Sequence, residues 1–242
     1  MLKLVKYDFR RDRDKFLAVF VIIILAQIGL GFTKLHDYER FILNGLTYVI
    51  AGLIFLVMAA RTFFNNVNSY NRRLVPVRTL NTVLSPLVLF LALLLGIILI
   101  ALMHLSVYLS MYSTLVLPEN FWTVGLLVLL QAYWFAGYIM LTLMVSITVA
   151  RSMKFKGRVW IGLATAYLLQ NGISYLEYLI FNSNFTAWES VFQFEVIAET
   201  DTRSGIQLTQ GHLNLAPLLF EAVIAVLLIA VIIKLVKKRV DA

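Results

Sequence analysis

Apolar residues fall into six long blocks separated by shorter polar stretches. The blocks are roughly Phe16–Thr33, Phe41–Ala60, Ser85–Leu115, Phe121–Ala150, Val159–Phe181 and Leu215–Val236. At about 1.5 Å per helical residue, blocks of this length match a hydrocarbon core of about 30 Å. The pattern predicts an all-α polytopic membrane protein with six transmembrane helices. The third and fourth blocks, about 30 residues each, exceed the core at that rise, so their ends are expected to project into the cytoplasm. Pro86 is placed in the first turn of the third span, where a missing N–H is tolerated. Pro118-Glu119-Asn120 breaks the chain before the fourth.

The polar stretches carry their own patterns. In residues 1–15, Leu2, Val5 and Phe9 continue to Phe16 as a narrow apolar stripe, with Lys3, Lys6, Arg10 and Arg13 beside it. That pairing predicts an amphipathic helix in the headgroup layer; the plainer reading is a cationic flank that orients the first span. The stretch from Arg61 to Leu84 is too long for an ordinary helix–helix link and predicts a loop with structure of its own. Residues 182–214 form the one sizeable external segment. Thr186 and Glu189 match a capping box, so Ala187–Thr200 is expected to be helical and the segment partly helical. Beyond it, Ile206–Thr209 and His212–Leu215 alternate across Gln210-Gly211 as a candidate hairpin.

Charge orients the spans. Lys and Arg against Asp and Glu count +6 −3 in residues 1–15, +4 in 61–84, +4 in 151–158 and +4 −1 from Lys234 onward. The alternate stretches count +2 −2 in 34–40, −1 at Glu119 and +1 −4 in 182–214. The positive-inside rule places both termini and the two acid-free basic loops in the cytoplasm of a cell membrane. Interfacial aromatics are assigned accordingly: Tyr108, Tyr112, Phe121, Trp122, Tyr175 and Tyr178 outside, and Phe63, Phe64 and Trp160 inside.

Composition narrows the chemistry. The chain is 61% apolar, well above a soluble domain, with a net charge of +8. The cations flank the apolar blocks instead of forming one basic face, which argues against nucleic acid as a partner. With no cysteine and three scattered histidines, thiolate and histidine metal sites are not expected. There is no P-loop, no H-E-x-x-H and no serine-protease string, so the chain is read as a non-enzyme that cannot hydrolyse ATP by a P-loop of its own. Ionisable groups inside spans are costly and are functional candidates by default. His104, Glu177 and Glu221 are these groups, each toward the outer side. Either they line a hydrated outer vestibule or they reach outer water. Ala132-x-x-x-Ala136 and Gly162-x-x-x-Ala166 read as ordinary close packing.

The layout resembles the permease subunits of ATP-binding-cassette exporters of the second class. That family has an N-terminal interface helix, six spans and a cytoplasmic coupling helix between spans two and three. A second cytoplasmic contact lies between spans four and five, and a partly helical external segment between spans five and six. The run Leu74-Val75-Pro76-Val77-Arg78-Thr79 is similar to a family motif after the coupling helix, although Arg78 replaces a small hydroxyl residue. Within the family, the size resembles small Gram-positive peptide exporters, including those for phenol-soluble modulins. The resemblance implies ATPase contacts at Ser69, Tyr70, Asn71, Arg72, Arg73, Leu74, Val75, Pro76, Val77 and Arg78. It implies a second contact at Arg151, Lys154, Lys156 and Arg158. It also implies a partner ATPase holding ATP and Mg²⁺, no cofactor in this chain, a second permease as homodimer or sister subunit, and membrane lipid around the pair. Two other readings stay open: a membrane-bound peptide-binding or immunity protein without an ATPase, and the membrane subunit of an importer.

Overall fold

The computed structural model describes residues 2–68, 79–111, 121–153, 157–181, 194–198, 206–210 and 215–240. Among them lie six helices and one two-stranded sheet: α1 (Leu2–Gly31), α2 (Asp37–Asn68), α3 (Thr79–Met111), α4 (Phe121–Ser152), α5 (Arg158–Phe181), β1 (Phe194–Ala198), β2 (Ile206–Gln210) and α6 (Leu215–Val240). Five of the helices are long and apolar enough to cross a membrane. The other, α5, is about 36 Å long but carries Gln170, Asn171 and Glu177, which lower its hydropathy. The protein is therefore a multi-pass, all-α membrane protein with a small hairpin. Contacts divide it into two compact units, residues 1–115 and 116–242.

The first unit is an antiparallel three-helix bundle in which α1, α2 and α3 all touch one another. Its core is aromatic. Phe16 and Phe20 of α1 close on Phe55 of α2, with ring centroids 6.0 and 5.2 Å away. Such pairs contribute about 0.5–1.5 kcal/mol beyond area burial. Gly96 of α3 faces the Phe20 ring, which lies 3.7 Å from where a Cβ would stand, and Gly52 of α2 meets Leu94 in the same way at 3.6 Å.

Several expectations are corrected in this unit. Residues 1–15 are not separate from the first span, because one uninterrupted helix runs from Leu2 to Gly31. The 61–84 loop shrinks from both sides. Arg61–Asn68 continues α2, and Thr79–Leu84 begins α3. The reason is packing: Phe55, Ala59, Phe63 and Val67 recur at helical spacing and are buried, together with Thr62 and Asn66. A polar stretch with one buried stripe stays helical when two neighbours cover that stripe. Pro86 consequently lies inside α3 rather than in its first turn, leaving the Thr82 carbonyl without its i+4 donor. Phe63 and Tyr108, assigned to interfacial belts, are buried instead.

In the second unit α4 is the hub, packed on both α5 and α6. Its buried serine and threonine hydroxyls bond along the helix: Ser146 Oγ donates to the Thr142 carbonyl and Thr148 Oγ1 to that of Met144, at 2.8 and 2.7 Å. Gly162 lets α5 approach α4 closely. A Cβ there would stand 3.2 Å from Ala150 Cβ and 3.5 Å from the Ser146 carbonyl. At the hairpin end, α5 and α6 meet through an edge-on Phe181–Phe220 pair at 6.0 Å.

The hairpin also differs from expectation. Phe194–Ala198 is a strand, not part of a helix over Ala187–Thr200, and it pairs antiparallel with Ile206–Gln210. The 206–209 strand is thus found, but its partner lies before it in the chain rather than at His212–Leu215. Val196 and Ile197 carry strand preference that outweighs the capping box upstream. Residues 182–193 and 199–205 lie outside the described residues.

Candidate functional site

The residues expected to meet an ATPase, Ser69–Arg78, lie outside the described residues, as do Lys154 and Lys156. What the structure supplies is the pair of helix ends that hold the link. Asn66 sits near the end of α2, and Ser85 about one and a half turns into α3. Between them stands Asp8 of α1, fully buried. Ser85 Oγ donates to Asp8 Oδ2 at 2.7 Å, and Asn66 Nδ2 donates to the same oxygen at 3.2 Å. The Arg11 guanidinium lies 3.8 Å from Asp8 Oδ1 and donates to Asn66 Oδ1 at 3.4 Å. A buried carboxylate is tolerated only when its oxygens are hydrogen-bonded and a cation is near. Here both conditions are met by three different helices, so the network fixes their register where the chain leaves and re-enters the link.

Sequence reasoning did not find Asp8. The signal was present: the buried positions of α1 are Asp8, Phe16 and Ile23, one face read at steps of eight and seven. Projecting the buried stripe of the span backward by two turns lands on the acid. The expected apolar stripe fares differently, since Leu2 and Phe9 are exposed while Phe16 is buried and stacks on Phe9 at 5.8 Å.

Of the second contact, Arg151 is half-buried at the end of α4 and Arg158 is exposed at the start of α5. They flank the turn at Gly157.

The two glutamates belong together, in the second unit. Glu177 of α5 is 4% exposed, so it does not reach water along its own stem, and the snorkelling reading fails for it. Glu221 of α6 is half-buried and accepts from Trp134 Nε1 of α4 at 2.7 Å. Tyr138, one turn further along the same face of α4, is 5% exposed and lies within electrostatic range of both carboxylates. These residues set a level across the unit. From that level α4 continues about 20 Å toward its hairpin end, whereas α5 ends after about 6 Å and α6 begins about 9 Å away. The extra length of α4 therefore extends on the hairpin side, where β2 touches it, and not toward the opposite end as expected. In the first unit the helices outrun their apolar blocks on the side of the 69–78 link, through Arg61–Asn68 of α2 and Thr79–Leu84 of α3.

His104 belongs to the first unit. Its Nδ1 is 3.0 Å from the Tyr48 hydroxyl of α2. Its ring packs against Tyr48 and Tyr108, at 6.1 and 6.3 Å. It is held by partners of its own unit.

Together these elements define a polytopic all-α membrane protein whose membrane-embedded helical bundle, with polar groups built into it, is consistent with a transport protein. The chain matches no protein-family model, no curated protein and no solved structure.

Proposed function

We propose that the chain is the membrane-spanning permease subunit of an ATP-binding-cassette exporter, moving an amphipathic peptide or a similar hydrophobic substrate out of the cell. A separate ATPase subunit supplies the energy, and a second permease, identical or sister, completes the pore. The observation that carries this reading is the clamp at Asp8. A push on residues 69–78 needs a rigid lever, and the buried bonds among Asp8, Asn66 and Ser85 tie both helices that flank the link to a third. The link itself is basic and acid-free, with Arg72, Arg73 and Arg78, which suits an acidic cleft on a cytoplasmic partner. The half-buried Glu221 near the hairpin end would meet the cationic face of a departing amphipathic peptide.

Charge reversal tests it. An Arg72→Glu, Arg73→Glu double variant is expected to lose association with its ATPase on co-purification from native membranes. Each lost charge-assisted contact contributes about 1.5–3 kcal/mol, a weakening of roughly tenfold or more. Undiminished ATPase recovery together with normal substrate-stimulated turnover would overturn the reading.

A further inference from the structure

Among the described residues, α5 is the one long helix too polar to pass as a membrane span by composition. Yet it packs along α4, which does pass. Part of its polarity is turned outward. At about 100° per residue, Trp160, Ala164, Tyr167, Asn171, Tyr175 and Tyr178 fall on one stripe, and all six are exposed. The stripe runs opposite Gly162, the residue that faces α4.

Depth separates these residues. Trp160 and Tyr178 lie near the helix ends, where rings with a polar tip meet the headgroups. Tyr167 and Asn171 lie between. Gly162 stands against Ala150 at the end of α4, and Asn171 is about 14 Å further into the span. An asparagine stem is too short to carry its amide to water from that depth. Asn171 Nδ2 donates to the Tyr167 carbonyl at 2.8 Å, using one of its two protons. The second proton and Oδ1 have no partner among the described residues. Leaving them so in hydrocarbon is costly, whereas a protein surface carrying its own donor and acceptor would satisfy both.

We propose that this face of α5 packs against the same face of a second copy of the chain, across a two-fold axis along the membrane normal. Every copy carries the same loop charges and so inserts in the same orientation. Such an axis sets each residue opposite itself at equal depth. An amide is its own complement: Asn171 Nδ2 of each copy donates to Asn171 Oδ1 of the other. The stripe bears no charge, so a charged partner finds nothing there to pair with. Ala164, one small residue along the stripe, lets the two backbones approach. The contact seats the second permease of the proposed exporter and makes it an identical chain, and to that extent it rests on that reading. Dimerisation itself needs no ATPase, so either can fail without the other.

The test uses the full chain in phosphatidylcholine liposomes without any ATPase. The chain has no cysteine of its own, so a single introduced thiol can form a disulfide only with another copy. Ala164→Cys and Tyr175→Cys, oxidised with copper phenanthroline, are expected to yield a covalent dimer. Leu176→Cys, exposed but well off the stripe, should yield at least fivefold less. Energy transfer between copies labelled on an added C-terminal tag then follows dissociation as the protein is diluted in lipid. Asn171→Leu should weaken the dimer roughly three- to thirtyfold, and Asn171→Gln should restore most of it. Because Asn171 lies on the surface, both variants should keep the helical content of the parent. A chain that stays monomeric, or a dimer whose cross-links are as strong at Leu176→Cys, would overturn the interface. A dimer as tight in Asn171→Leu as in the parent would overturn the amide contact. Cross-links from Ala164→Cys to a different chain in native membranes, with none between copies, would overturn the second copy as the occupant.

Discussion

Asp8 shows how one polar side chain organises a region that reads as a simple cationic flank. One of its oxygens, Oδ2, accepts from both α2 and α3, so losing Ser85 removes the shorter of two hydrogen bonds to a buried carboxylate. Ser85→Ala is expected to lower stability by about 1.5–3 kcal/mol, the range for hydrogen bonds to charged groups. Arg13, paired at 3.1 Å with its neighbour Asp14 on the surface, provides the contrast: Arg13→Ala should change stability by less than about 0.5 kcal/mol. Unfolding of the two purified variants in the same detergent measures the difference, and equal losses would mean that the Asp8 network contributes no more than a surface pair.

The helices themselves were largely legible in the sequence, and their ends were not. Five of the six apolar blocks pass as membrane-crossing helices because hydrocarbon demands a closed backbone hydrogen-bond ladder. The extensions at Arg61–Asn68 and Thr79–Leu84 were missed because their residues are polar or mixed, and their helicity comes from tertiary cover that no local pattern records. Charge marked 61–84 as a basic loop, but the clamp beside it depends on residues 58 and 77 positions apart from Asp8. Glu177 and Glu221 were legible as candidates, while Trp134 and Tyr138 were hidden among ordinary span aromatics. Helix approach gives a further prediction. Gly162 sits against Ala150, so Gly162→Ile must separate α4 and α5 and should cost about 1–3 kcal/mol. At Gly172 a Cβ meets nothing, and Gly172→Ala should stabilise by up to about 0.5–1 kcal/mol through the helix backbone alone. Thermal unfolding with the same sign for both would contradict the close contact.

For the molecule as a whole, the exporter reading needs residues 69–78 on the cytoplasmic side and the hairpin segment outside, because the proposed ATPase and the proposed exit lie on opposite faces. The sequence supports that placement through the unequal charge of its loops. The chain has no cysteine, so single introduced thiols report without background. In intact cells, cysteines at Ser69 and Ser152 should stay unlabelled by a membrane-impermeant maleimide until the membrane is opened, whereas one at Ser204 should label at once. Labelling of Ser69 and Ser204 from the same side would contradict the six-span arrangement and the exporter account built on it.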